Sequence, residues 1–357
     1  MIDYTLGTVI STRIRLARNL NGYPFPARLK SNAQAKEIIR SVSASVNKVD
    51  AFRLYYMDGI SEERALNLVE NRLISPALLN TPSRSALLLK EVKYPGSKDE
   101  YVSAEELPQY KYNISIMINE EDHLREQCIE KGLALKTAYE KLSEKDAQIA
   151  RSIPFAYDER LGYLTACPTN LGTGLRASVM LFLPALQLGG MMNGVIKRVD
   201  RLGLTVRGAY GEGSVAKGYT YQISNEVTLG VSEEDILGEV ENVVKKIVEL
   251  EAEERNSLKS GELAFTVKDR CLRAYGILTN CVLLTHEELD GLIADLKLGV
   301  CLGYLHIDDL GELDELDSKM MPSNLDILAG RPLTEHERDT YCAQQVSATV
   351  SKLVSKM

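Results

Sequence analysis

The chain is short of several things, and each shortage closes off a class of function. No apolar run approaches the roughly 20 residues needed to cross a bilayer, so no membrane span is expected in these 357 residues. The start, Met1-Ile-Asp-Tyr-Thr-Leu6, has no basic segment followed by an apolar core, and a secretory leader is not expected. The six cysteines (128, 167, 271, 281, 301 and 342) include no CxxC pair and no regular spacing. Without a leader they read as reduced thiols in a cytoplasm, not as a disulfide framework. The four histidines are scattered without ligand spacing, so no metal site is expected among the side chains. An excess of positive charge is missing too. The formal net charge is −8, which argues against a general nucleic-acid binder. What remains, 45% apolar and 26% charged residues, is the balance of a globular protein, and the length suggests two domains.

Chemistry is concentrated in four stretches. The densest is Cys167-Pro-Thr-Asn-Leu-Gly-Thr-Gly-Leu-Arg-Ala-Ser-Val-Met180. Gly172 and Gly174 bracket Thr173, so the backbone can turn tightly and aim N–H groups at an anion. Arg176 adds a permanently charged planar fork suited to phosphate. Near the N-terminus, Val9-Ile-Ser-Thr-Arg-Ile-Arg-Leu-Ala-Arg-Asn19 alternates polar and apolar residues. That places Arg13 and Arg15 on one side of an extended segment. Alone it reads as a solvated edge strand; beside the 167–180 loop, a polyphosphate clamp is the better reading. A β-type run, Ile114-Ser-Ile-Met-Ile118, delivers Asn119, Glu120, Glu121, Asp122 and His123, then Arg125. Consecutive acids need water, cations or a function to tolerate one another. Finally, Leu202 to Gly218 reads as a strand followed by a glycine-rich loop containing Arg207, Gly208, Ala209, Tyr210, Gly211 and Glu212.

The remaining chain is punctuated by helix signals. Ser31 and Ser61 stand as N-caps, and residues 31–75 read as helical. Arg84, before the strand 86–90, is a further candidate phosphate contact. Residues 91–112 read as a charged surface excursion between two strands. Residues 132–152 form an amphipathic helix, and Ser232 opens a long one running to about Asn256. The hundred residues that follow read as a mostly helical bundle, with Thr285 as a cap.

In order, the arginine stretch, Asn-Glu-Glu-Asp-His-Leu-Arg, the 167–180 loop and Val-Arg-Gly-x-x-Gly-Glu-Gly-Ser resemble the hallmarks of phosphagen (guanidino) kinases. The ending Arg-Ala-Ser-Val-Met and the C-terminal Arg-Ala-Tyr-Gly segment resemble the protein arginine kinase branch. Members often have histidine where Arg72 stands, near the adenine, and Glu where Val215 stands. The resemblance implies an α+β fold: a catalytic domain over 1–256, with a central antiparallel sheet flanked by helices, and a helical C-terminal domain over 257–357. It implies ATP with Mg²⁺, and transfer of a phosphoryl group to arginine in proteins, with free arginine as the alternative acceptor and a phosphoarginine-binding adaptor as a further one. Implied catalytic residues are Glu121 and Glu212, gripping the guanidinium, and Cys167, placed beside it as a thiolate. His123 reads as structural. Implied nucleotide contacts are Ser11, Thr12, Arg13, Ile14, Arg15, Arg125, Arg176, Ala177, Ser178, Val179, Met180, Arg207, Gly208, Ala209, Tyr210 and Gly211. Arg338 and Asp339 match part of the family's phosphoarginine pocket, whose second arginine is replaced here by Cys342. Protein substrates with exposed arginines, an activator protein, a Clp-type unfoldase in stress-response quality control, and a second copy of the chain are the partners so implied. The setting is the cytoplasm, with no membrane and no nucleic acid.

Overall fold

Local signals in the sequence become the elements of the fold wherever a cap and an apolar stripe coincide. A computed structural model describes residues 7–90, 113–208 and 217–357. Strand β1 (Val9–Arg18) leads to helix α1 (Asn32–Val49). The Ser31 hydroxyl caps α1 by accepting from Gln34 N–H, and Ile38, Ile39, Val42 and Val46 form its buried stripe. Strand β2 (Phe52–Tyr56) follows, then α2 (Glu62–Glu70), capped by Ser61. Here the helical expectation for 31–75 is corrected. Asp50 ends α1, and Phe52-Arg-Leu-Tyr-Tyr56 pairs antiparallel with β3 (Ala86–Lys90). Aromatic-rich segments suit a pleated, half-buried surface, and the partner strand wins over local helix propensity.

Strands β4 (Ile114–Ile118) and β5 (Leu124–Lys131) form the next hairpin, and α3 (Leu135–Ala150) follows. The short pair β6 (Tyr157–Asp158) and β7 (Gly162–Tyr163) precedes β8 (Leu175–Phe182), α4 (Pro184–Leu188), α5 (Met192–Asp200), β9 (Leu204–Gly208) and β10 (Thr220–Asn225). The long helix α6 (Glu233–Ser260) runs one turn past the boundary read from sequence. Then come α7 (Ala264–Leu278), α8 (His286–Cys301), β11 (Leu305–His306), α9 (Gly311–Lys319), α10 (Pro322–Ala329), α11 (Glu335–Leu353) and β12 (Ser355–Lys356).

Eight strands hydrogen-bond in the order β2-β3-β4-β5-β1-β8-β10-β9. The pairs from β2 through β1 are antiparallel, as expected for an α+β domain with a central antiparallel sheet. The chain divides into two compact units that do not follow chain order. One, the sheet unit, comprises Ser11–Ser178 and Ser224–Glu241; the other, the helical unit, comprises Met1–Ile10, Val179–Ile223 and Asn242–Met357.

In the sheet unit, α1 and α3 pack on each other, and Met57, Leu68, Leu78, Leu87, Leu89 and Met117 close a core beside α2. In the helical unit, Leu289, Ile293 and Leu296 of α8 meet Cys342, Val346 and Val350 of α11. Thr334 starts α11 with a full capping box to Glu337.

Candidate active site

The alternation of β1 decides which side chains share a face. Arg13 lies across from Ile129, Arg15 from Gln127, and Ala17 from Arg125. Residues directly opposite one another point to the same side, so Arg13, Arg15 and Arg125 lie on one face of the sheet. Arg176 enters from β8, its Nη2 3.1 Å from the Ser224 hydroxyl. Both strands are held there by polar side chains. The Ser178 hydroxyl donates to the Arg13 carbonyl at 3.1 Å, and Asn225 accepts from Ala177 N–H at 2.8 Å. Thr12 braces the strand from the other face: its hydroxyl donates to Gly132 O at 2.6 Å and accepts from Ala134 N–H at 3.0 Å.

Burial and mutual repulsion are written into these guanidinium groups. The pKa of Arg13 is lowered to about 10 by burial first, then by Arg72, Arg125 and Arg176. Arg15 is pushed well below its ordinary value by burial, then by Arg13, Arg125 and Arg176, and Glu120 alone opposes this. The Arg15 Nε is closed off from solvent with no hydrogen-bond partner among the described residues. Converging cations disfavour one another's charge, so this face is built for an anion carrying several charges. Arg72 belongs to the same cluster, although the sequence reading set it apart as a departure near the adenine. Its backbone is left-handed, φ 58°, and Gln127 Nε2 holds its carbonyl at 2.8 Å.

The 119–125 turn separates acids that the sequence reads as a block. Asn119 adopts φ 57°, and its amide donates to Arg84 O at 2.9 Å and Ala35 O at 3.2 Å. Glu120 turns inward. Its side chain is 3% exposed and takes Arg125 Nη1 at 2.8 and 2.7 Å, while the Ser75 hydroxyl donates to it as well. Burial would raise this carboxyl, but Arg125 and Ser75 outweigh it, and its pKa lies below the ordinary value. Glu121 stands exposed and hydrogen-bonds the Cys167 thiol. Burial, then Asp122 and Glu120, raise its pKa. Asp122 serves the backbone: its Oδ1 accepts from Asn19 Nδ2 at 2.6 Å and Ala166 N–H at 2.7 Å. His123 accepts from Leu20 N–H through Nδ1 at 3.0 Å, and burial lowers its pKa to about 4. The imidazole is thereby tied to the backbone at Leu20, just past the end of β1.

The loop before Arg176 is held by Thr228, whose hydroxyl donates to Thr169 O at 2.9 Å and Leu171 O at 2.7 Å. Gly172 has φ +109°, and a Cβ there would meet Thr228 O at 2.2 Å. Gly174 has φ +64°, and a Cβ there would meet Ala17 O at 2.6 Å. Only glycine permits both approaches. Cys167 is half-buried, with its sulfur 3.1 Å from the Thr169 hydroxyl.

The structure therefore brings Arg13, Arg15, Arg125 and Arg176 together in the sheet unit, and pairs Glu121 with Cys167 there. Arg207 and Gly208 end β9 in the helical unit, where Val179 and Met180 are buried. Ala209, Tyr210, Gly211 and Glu212 lie outside the described residues, as do the 91–112 excursion and Val215. Arg84 is spent elsewhere: its Nε donates to Asn32 Oδ1 at 2.7 Å, tying the loop to the start of α1. In α11, Arg338 pairs with Asp326 at 3.1 Å and Leu333 O at 3.2 Å. Asp339 accepts from Leu284 N–H through its carbonyl, and Cys342 is core, its thiol pushed up to about 12 by burial.

Residues 34–254 match the family described as "ATP:guanido phosphotransferase, C-terminal catalytic domain". The chain belongs to that family. Residues 264–356 match "Protein-arginine kinase McsB C-terminal domain". A protein-arginine kinase of Caldanaerobacter subterraneus subsp. tengcongensis is 38% identical over 99% of both chains. One of Geobacillus stearothermophilus is 41% identical, over 93% of this chain and 87% of its own. Among solved structures, lombricine kinase is 26% identical, with a TM-score of 0.56, over 71% of this chain and 68% of that one. The duplicated taurocyamine kinase of Schistosoma mansoni shares the fold, with a TM-score of 0.60 and 24% identity, and the match covers 77% of this chain and 39% of that one. The expected guanidino-kinase fold and phosphotransferase activity both stand. Glu120 and Arg72, which the sequence reading did not count among the site residues, lie against the arginine cluster.

Proposed function

We propose that this enzyme transfers the γ-phosphoryl group of Mg·ATP to arginine side chains of proteins. The observation that carries the reading is the cluster of converging guanidinium groups, Arg13, Arg15, Arg125 and Arg176, on one sheet face. A triphosphate relieves their repulsion, and its transferring oxygens meet fixed positive charge as the transition state spreads negative charge over them. Mg²⁺ arrives as part of the substrate. Arg72 joins the clamp, and the family resemblance adds Arg207, Gly208, Ala209, Tyr210 and Gly211 as further nucleotide contacts.

The acceptor needs the opposite chemistry. A guanidinium is a poor nucleophile while cationic, so anionic partners must orient it and take its proton. Glu121 has the raised pKa of a proton acceptor, and Cys167 lies against it to position the substrate nitrogen. Glu212 is the second carboxylate in this reading. The arginine nitrogen attacks the γ-phosphorus in line, the bond to the β,γ-bridging oxygen breaks, ADP departs with that electron pair, and the guanidinium proton passes to carboxylate. Most of the rate enhancement would come from alignment and charge stabilisation.

Similarity to protein-arginine kinases along nearly the whole length favours protein acceptors. In the same reading, 1–256 is the catalytic region, and 257–357 carries dimerisation and an Arg338–Asp339 phosphoarginine contact. The tagged proteins pass in the cytoplasm to a Clp-type unfoldase during stress, with an activator protein as a further partner. Offering Mg·ATP with free L-arginine and, in parallel, with casein tests the central point, read by phosphoarginine mass spectrometry. Phosphate on casein arginines, absent in Glu121→Ala and Glu212→Ala, is the expected result. Preferential labelling of free arginine would move the enzyme to the phosphagen side. ATP binding with neither product would favour an adaptor.

A further inference from the structure

The helical unit contains a second polar cluster with no part in phosphoryl transfer. Thr285 caps α8, His286 and Asp290 lie one turn apart at its start, and Asp317 comes from the last turn of α9. One imidazole nitrogen and one oxygen from each carboxylate all lie within 4.8 Å of one another. Two of the atoms there need explaining. His286 Nδ1 and Asp317 Oδ1 are both closed off from solvent, and neither has a hydrogen-bond partner among the described residues. Buried polar atoms are nearly always partnered, and leaving one bare costs free energy. Both atoms belong to residues of the cluster, and an electropositive guest held among those side chains would give them a partner.

We infer that His286, Asp290 and Asp317 form a binding site for one divalent transition-metal ion of the zinc type, which ties the first turn of α8 to the end of α9. One nitrogen and two oxygens suit Zn²⁺, which accepts imidazole and carboxylate together. Mg²⁺ and Ca²⁺ prefer all-oxygen surroundings. Three protein ligands leave a position for water. Scattered histidines gave no hint of this site, because the third ligand arrives only when α9 packs against α8.

The test uses the full chain, stripped with a chelator and dialysed. Zn²⁺ titrated calorimetrically should bind at one ion per chain, with Mg²⁺ unable to compete. Co²⁺ in its place should show visible bands without the sulfur charge-transfer band that cysteine ligation would give. His286→Gln and Asp317→Asn should each weaken binding at least ~100-fold, at or beyond the upper end of the loss usual for a residue that merely supports a ligand. Asp317→Asn also reports on folding. In chelator it should melt no lower than the parent, because it removes a buried ionisable group, and only the parent should melt higher with Zn²⁺. Equal Zn²⁺ affinity in both variants, a sulfur band with Co²⁺, or no binding by the parent would each overturn the assignment.

Discussion

Strand β1 places three arginines in two opposite environments. Arg18 is fully buried, yet its pKa lies above the ordinary value. Burial opposes the charge, and Asp146 outweighs burial. Asp146 receives Nε at 3.0 and 3.1 Å and Nη2 at 2.9 Å. Nη1 donates to Ala17 O and Thr173 O, and the guanidinium stacks on Tyr163, 3.6 Å from the ring centroid. Three and five residues earlier, Arg15 and Arg13 are pressed downward by burial and by other arginines. The first environment satisfies a cation completely and fixes the Gly174 turn. In the second, burial and repulsion among arginines oppose the charge, the environment that the proposed function assigns to a polyanion.

The largest way to break the comparison is to remove the compensation. Asp146→Ala leaves Arg18 buried without its carboxylate and should cost about 3–5 kcal/mol, read as a drop in the urea midpoint of the full chain. Next in size, Arg176→Ala removes a clamp member and should lower kcat/KM for ATP about 10²–10³-fold, with the melting temperature nearly unchanged. Glu120→Gln sharpens the distinction. Arg125 loses its ionic anchor, and kcat/KM should fall roughly 10-fold, about 1.4 kcal/mol, the difference between a charged hydrogen bond and the neutral one that replaces it. The smallest effect belongs to Glu126. Burial, then Asp146, push its pKa well above the ordinary value, the direction that favours the neutral form. Glu126→Gln, a neutral side chain of the same shape, should change stability by less than about 0.5 kcal/mol, and a loss of several, read from the urea midpoint, would contradict this.

Much of this was legible before any coordinates. The caps at Ser31, Ser61, Ser232 and Thr285 each accept the N–H three residues on, because the side chain that stops the backbone also starts the helix. Alternation in β1 placed Arg13 and Arg15 together. What could not be read depends on partners distant in sequence. β2 exists because β3 is there to pair with it. The split among Glu120, Glu121 and Asp122 follows from the left-handed turn at Asn119, a conformation asparagine tolerates better than most residues, but which acid turns inward depends on Arg125 and Ser75. Arg72 reaches the clamp because Gln127, 55 residues away, holds its carbonyl. Arg84 looked free to meet phosphate only while its partner Asn32 was out of sight.

One substitution tests directly whether the Arg13–Arg15 face trades folded-state stability for anion binding. Arg15→Met keeps the bulk of the side chain and removes the charge, and its melting temperature is measured without ligand and with saturating Mg·ATP. The account predicts a ligand-free protein at least as stable as the parent, by about 1 kcal/mol, that has lost most of its nucleotide-dependent rise. A variant that unfolds earlier without ligand, yet keeps the full rise with Mg·ATP, would make Arg15 a structural arginine like Arg18 and contradict the claim.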